Sequence, residues 1–382
     1  MCQYARRWLW GSSLAASGGI NIVGSHLRAR PARRNRRRRQ AVITTVIAVL
    51  VVAVSGTAAV AFMPGLPKSL PPAAITPSPA PVAEPVEPVE EPPAPVEEPV
   101  VPEEPVSPAA LACTTTSLMS VWAHQDDDLI FANPDISAAI AGGECVRTLY
   151  LTAGDAGRGA GYSTSRELGI LRSYNVMRGA QSFWDEHTVT LLSGAELTMF
   201  TPQGSTDTAV AFLRLPDGGL SGGGFSATGH TSMPMLLNGS IATIAPIDGG
   251  PPVSAEGLGH TISELISAWA PTRLFTHTPG ASTLSHGDHP DHAATGTLTR
   301  QAWQAVGYPV DAVRYFVGYP SEYMPVNVSG DVLTHKVDIY RTYANEDVVI
   351  ACADNAACLS RRGFGAWLQR SYPKTDAELG IG

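Results

Sequence analysis

Between residues 113 and 382, apolar positions follow two alternating periods. Short apolar runs at 118–123, 146–152, 273–277 and 313–317 each end abruptly at polar or glycine-bearing residues, as buried strands do. Runs at 189–192 and 209–213 predict two further strands. Between the runs the spacing becomes helical. Across 164–183, Leu168, Leu171, Val176 and Ala180 recur near every fourth residue, with Arg and Glu between them. Helices are also predicted at 134–141, 256–269, 330–343 and 291–306, the last with Pro290 near its first turn, where proline is favoured. The glycine-rich stretch 216–231 lacks the spacing of a phosphate cradle and reads equally as a surface loop or as a rim over a site. The tail from Cys352 carries no readable period. Strands alternating with helices predict an α/β domain, a parallel sheet covered on both faces.

The first 112 residues follow another pattern. Residues 1–40 hold ten Arg and no acidic residue, and 41–63 contain no charge at all. A basic flank before an apolar segment of bilayer length predicts a transmembrane helix or signal-anchor, with 1–40 cytoplasmic and the rest of the chain outside. Ala59-Val60-Ala61 offers an export-signal cleavage site instead, which would make the protein secreted. The long basic lead favours the uncleaved anchor, and its membrane-flanking place explains the Arg run better than nucleic-acid binding does. Residues 64–112 alternate Pro with Glu, a composition that predicts an extended spacer. The remaining domain, 113–382, carries 26 Asp and Glu against 15 Lys and Arg, a net −11 that argues against nucleic acid or anionic lipid as partner. Its four cysteines allow three pairings. Cys113–Cys145 and Cys352–Cys358 are expected, because each is short-range and would tie down one end of the domain.

The strand at 118–123 runs into His124-Gln125-Asp126-Asp127-Asp128. Three adjacent carboxylates repel one another, and a divalent cation is the simplest remedy. The second cluster, Ser285 to His292, follows the strand at 273–277, so a parallel sheet would bring both to one edge. His124 and Asp127 are three residues apart, as are His289 and His292. Two ligands from the first cluster and one from the second would leave a coordination position open, as catalytic zinc sites do. One carboxylate and one imidazole then remain for proton work. Imidazole ligands favour Zn2+, or another divalent transition metal, over magnesium or calcium. His277, at the end of its strand, is a candidate for supporting a ligand. Asp288 and His286 read as loop or supporting residues, and His187, His230, His260 and His335 as structural or solvated.

These motifs carry a family resemblance. Ala123-His124-Gln125-Asp126-Asp127-Asp128 resembles the Ala-His-Pro-Asp-Asp-Glu signature of the PIG-L / LmbE-like N-deacetylases. His289-Pro290-Asp291-His292 matches that family's His-Pro-Asp-His motif, and Phe275-Thr276-His277 resembles the strand end before it. The resemblance covers most of 117–320. It implies a Rossmann-like fold that binds one zinc and hydrolyses an N-acetyl group from an N-acetylglucosamine moiety. It implies that His124, Asp127 and His292 hold the metal and that Asp126 is the general base. His289 would stabilise the oxyanion as a cation or protonate the amine, while Asp291 orients an imidazole. Arg166 falls where an arginine of the family contacts sugar hydroxyls, and Asp155 sits at the strand end facing the site, although Arg166-Glu167 also reads as an ion pair near a helix start. Gln125 departs from the family proline and Asp128 from its glutamate, which leaves Asp128 without a role. The expected protein is a membrane-tethered, extracytoplasmic zinc deacetylase acting on an N-acetylated envelope sugar. A carbohydrate-binding module without turnover, or an amidase for another N-acyl substrate, are the alternatives.

Overall fold

A computed structural model describes residues 106–382. Among them the chain forms β1 (Ser117–Trp122), α1 (Asp135–Ala141), β2 (Cys145–Thr152), α2 (Ala160–Met177), β3 (Trp184–Thr190) and β4 (Glu196–Pro202). It continues through β5 (Thr208–Leu215), α3 (Met233–Leu237), β6 (Thr243–Ile244), β7 (Val253–Ser254), α4 (Ala255–Trp269) and β8 (Arg273–His277). Last come α5 (Pro290–Val306), β9 (Val313–Phe316), α6 (Gly330–Ala344), α7 (Asn355–Ser360), α8 (Phe364–Leu368), β10 (Pro373–Lys374) and α9 (Asp376–Leu379).

Eight strands make one sheet in the order β10-β9-β8-β1-β2-β5-β4-β3. The five central strands are parallel, and the pairings of β10, β4 and β3 at the two edges are antiparallel. The expected mostly parallel sheet is therefore present with antiparallel margins. Successive β1 residues face opposite ways. Met119 and Val121 join the core under α4 and α5, whereas Leu118 and Trp122 join the core under α1, α2 and α6. Helices thus cover both faces of the sheet.

β1 pairs with β2 on one side and β8 on the other. The chain leaves β1 in one direction along the sheet and later returns on the opposite side. A crevice opens at the carboxyl ends of strands where such a reversal occurs. Helix α5 begins in that crevice. Pro290 occupies its first turn, the His289 side chain accepts the Asp291 amide, and Gly307 ends the helix at φ 84°.

Several boundaries differ from the sequence reading. The helix expected over 164–183 starts earlier, at Ala160, and stops at Met177; Gly179 takes φ 62° and leaves Phe183 83% exposed. β4 has no counterpart among the expected strands, because it lies next to the sheet's edge with one face partly open to solvent, and its apolar residues are interleaved with polar ones and form no run. The spacer expected over 64–112 includes residues that belong to the fold. The Val106 amide donates to Thr188 O (2.9 Å), and Leu111 O accepts from the buried Arg147 through Nε (3.0 Å) and Nη2 (2.7 Å). Both expected disulfides, Cys113–Cys145 and Cys352–Cys358, are formed. The expected membrane segment, 41–63, lies outside the described residues; among those described, no helix is long and apolar enough to cross a membrane.

Candidate active site

The chain just beyond β1, β2, β5 and β9, together with the start of α5 and the segment after α6, surrounds a cavity of about 280 Å³. His124, Asp126, Asp127 and His289 line it, with His292 and His277 fully buried behind. The two sequence clusters therefore meet at one sheet edge.

Asp127 is the centre of the arrangement. Its Oδ2 lies 3.3 Å from His124 Nδ1 and its Oδ1 lies 3.0 Å from His292 Nε2. Oδ2 also accepts the His124 amide at 2.7 Å and approaches His277 Nε2 at 3.0 Å. His124 and His292 each rest the other ring nitrogen on a different carboxylate. His292 Nδ1 is 2.8 Å from Asp288 Oδ1, and His124 Nε2 is 3.3 Å from Asp291 Oδ2. A carboxylate behind an imidazole fixes its tautomer and raises its basicity, the support typical of metal-ligating histidines.

The donor set fits a divalent transition metal. With the Nδ1 proton of His292 held by Asp288, its buried Nε2 has no hydrogen-bond partner and presents a lone pair to Asp127 Oδ1. Two lone pairs 3.0 Å apart call for a cation between them, either a proton or a metal ion. Without a metal the proton plays that part. Burial alone would lower the His292 pKa, yet Asp127 and Asp288 outweigh it and lift it to about 9. His124 is likewise raised despite burial, by Asp127, Asp291 and Asp217. Asp127 would be raised by burial, but His292, His277 and His124 hold it well below the usual carboxylate range. His277, by contrast, is pushed down to about 4 by burial and by His292, on which it stacks at 4.0 Å.

Other groupings of nearby donors exist, including His124, Asp217, His289 and Asp291. Their carboxylates are already engaged, since Asp217 Oδ1 accepts the Gly219 amide (2.7 Å) and Asp291 Oδ2 the Gly218 amide (2.8 Å). Asp127 is engaged as well, through Oδ2 on the His124 amide, but its Oδ1 faces only His292 Nε2, and Asp127, His277 and His292 form a further grouping.

Asp126 takes φ 117°, a backbone region that favours glycine, and its Oδ1 lies 3.0 Å from Arg166 Nη2. Burial, only partly opposed by Arg166, lifts its pKa to about 8. His289 accepts the Asp291 amide through Nδ1 (3.2 Å), so Nε2 carries the proton. Burial, His124 and His292 hold its pKa far below the usual histidine range, and the ring is neutral. The cationic His289 of the sequence reading is thereby corrected.

Asp291 and His277 do stand beside ligand candidates, but Asp291 faces His124; the residue behind His292 is Asp288. Arg166 reaches the cavity with most of its guanidinium already committed, to Gly154 O, Gln125 O, Tyr343 Oη and Asp126. That geometry suits holding a loop better than binding a sugar. Its neighbour Glu167 pairs with Arg214 (2.8 Å), not with Arg166. Asp155 does not line the cavity: Oδ2 accepts the Gly157 amide (3.0 Å) and Oδ1 the Asp217 amide (3.2 Å), pinning two loops together. Asp128 is buried in the core, where it accepts from Tyr174 Oη (2.9 Å), whose hydroxyl meets Thr148 Oγ1 (2.6 Å). It anchors the loop to α2.

The sequence reading missed Asp217, Tyr162 and Asp347, and an aromatic wall in which Tyr319 stacks on Trp367 at 4.4 Å, with Phe364 beside it. Asp217 follows β5 at the edge that holds the other acids, and that placement was the available signal.

Residues 119–303 match the family model of the PIG-L GlcNAc-PI de-N-acetylases. No curated protein matches the chain. Among solved structures it is similar to the conserved protein TT1542 from Thermus thermophilus, at 16% identity, 68% of this chain, 93% of that one and TM-score 0.38. It is similar to the zinc-inhibited form of teicoplanin deacetylase Orf2, at 14% identity, 62% of this chain, 86% of that one and TM-score 0.36. It is also similar to N,N'-diacetylchitobiose deacetylase from Pyrococcus horikoshii, at 13% identity, 61% of this chain, 71% of that one and TM-score 0.33. The match to the PIG-L family model takes in both His/Asp clusters, the residues that carried the resemblance in the sequence.

Proposed function

We propose that this chain is a zinc-dependent hydrolase that removes the N-acetyl group from an N-acetylglucosamine-type sugar of a cell-envelope glycan or glycoconjugate. One observation carries the reading: Asp127 stands between two imidazoles, each backed by its own carboxylate, with Asp126 and His289 facing the same cavity. The family-model match over 119–303 supports the substrate class. His124, Asp127 and His292 would hold the ion. When bound, zinc lowers the pKa of water toward about 7 and polarises the amide carbonyl.

The chain's own residues account for the proton movements. Asp126 takes a proton from the water that adds to the amide carbon. Burial raises the Asp126 pKa, which makes its carboxylate a stronger base than an exposed one, and a positioned base of this kind accepts and returns the proton. Negative charge then develops on the former carbonyl oxygen. The Nε2–H of neutral His289 donates a hydrogen bond to it, a contact that strengthens as the charge grows. The C–N bond breaks, the departing amine takes the proton back from Asp126, and the acetic acid released gives its own proton to the amine, leaving acetate and the ammonium form of the amino sugar.

We further propose that this chemistry takes place outside the cytoplasm, tethered through 41–63. Two disulfides support that reading, because such bonds persist in oxidising compartments. The test is zinc content and amine release by the full chain across free, lipid-linked and polymeric N-acetyl sugars, with Asp126→Asn as control. Zinc-loaded wild type should release amine and the variant should not. A chain that binds no zinc, or that binds glycan without releasing amine, would overturn the proposal.

A further inference from the structure

Asp347 lies three residues beyond α6, well past the last family-matched residue, and is 1% exposed. A carboxylate so buried needs several partners. Its Oδ1 accepts from Tyr162 Oη (2.7 Å) and the Val349 amide (2.9 Å), and its Oδ2 lies 3.2 Å from Tyr343 Oη. Its one ionic partner among the described residues is Arg166, whose Nε lies 3.3 Å from Oδ2.

The same guanidinium continues to the base, with Nη2 3.0 Å from Asp126 Oδ1. Arg166 thus spans two buried carboxylates, one from the metal-binding loop and one from the C-terminal segment. Only a planar, forked cation can do this, and it is held in place only if both edges have acceptors. The loop it grips is strained at Asp126, and Tyr343 Oη adds a second hold by donating to Gln125 O (2.9 Å).

We infer that Asp347 is a positioning residue for the proposed reaction: it locks Arg166, and Arg166 aims the Asp126 carboxylate into the cavity. The inference rests on Asp126 being the base. It makes the segment after α6, closed by Cys352–Cys358, part of the working enzyme.

The test compares the zinc-loaded full chain with Asp347→Asn and Asp347→Glu. Asn keeps the size and the tyrosine contacts but loses the charge. It should lower kcat about 10- to 100-fold, the effect of a misplaced catalytic group. KM should stay within about twofold and zinc content should be unchanged, while Glu should restore part of kcat. Wild-type kcat in Asp347→Asn would overturn the inference, and so would a raised KM at constant kcat, which would mean that Asp347 touches substrate. If Asn at 347 prevents folding, Arg166→Lys asks the same question, because one ammonium cannot span both carboxylates. The same kcat-only loss is expected, and an unchanged kcat overturns the inference. If wild type releases no amine from any sugar, the functional proposal fails by itself. A crystal structure of the Asn variant then decides: the 3.0 Å Arg166–Asp126 contact should open, and its persistence overturns the inference.

Discussion

Asp288 Oδ1 lies 2.8 Å from His292 Nδ1, and the same oxygen accepts the amides of His289 (2.9 Å) and Tyr319 (3.0 Å). One carboxylate therefore fixes an imidazole's tautomer and joins the start of α5 to the segment after β9. A Cβ at Gly318 would sit 2.3 Å from the other Asp288 oxygen, so the chain passes there only as glycine. If His292 is a ligand, Asp288→Asn should weaken zinc binding about 10- to 100-fold while leaving the fold intact. Zinc titration against a chelator measures this, and unchanged affinity would exclude the supporting role.

His289 lies close to His124 and His292, near enough to be a third imidazole ligand. The proposed mechanism gives it a different task. His289→Asn keeps a side chain able to cap α5 but removes the Nε2–H aimed at the cavity. Zinc stoichiometry should be unchanged, and kcat should fall by about 10²–10³. Loss of zinc in this variant would make His289 a ligand instead.

Gly296 lies one helical turn beyond His292, and a Cβ there would meet His277 O at 2.3 Å. The nearest atoms, from His277 and Thr278, are all backbone, so α5 or the end of β8 must move. Gly296→Ala should cost about 1–3 kcal/mol, the usual penalty of overpacking, and should also weaken zinc binding by shifting His292. Urea unfolding and metal titration test the two halves separately; full stability would refute the packing argument.

Lys336 is 1% exposed, and its Nζ donates to Arg370 O (2.7 Å). Burial, weakly opposed by Asp135, lowers its pKa from 10.5 to about 7. Below about pH 7 both folded and unfolded states hold the proton, and the folded state bears the full cost of a buried charge. Between about 7 and 10.5 only the unfolded state holds it, so this group's contribution to stability rises with pH. Lys336→Met should therefore stabilise the protein most at about pH 6, and the advantage should shrink toward about pH 10. A wild-type-to-variant difference that does not change with pH, followed by urea unfolding, would disprove this.

The two clusters were legible because each joins a short apolar run to a dense group of His and Asp, a pattern that local sequence alone displays. The residues that serve them were not. Asp217 sits among glycines, where an aspartate reads as an ordinary turn former. Asp347 lies in a stretch without period, and its meaning depends on α6 crossing α2 so that Tyr343 and Arg166 meet it. Asp155 and Arg166 were read as sugar contacts from their place near the strand end. Side-chain direction, which depends on how the loops fold back, turns the first away from the cavity and commits most of the second to protein groups.

By itself the sequence determined the alternation of strands and helices and the two dense His/Asp clusters, and it favoured the short-range disulfides. These follow from periodicity and short-range spacing, which a linear chain retains. Only the tertiary structure decided which carboxylate backs which imidazole, that His289 is neutral, and that Asp128 anchors α2. It also decided that Asp126 is held from a segment more than two hundred residues away. Those facts depend on burial and on distances of about 3 Å between groups remote in sequence, and both quantities exist only once the sheet has brought its strand ends together.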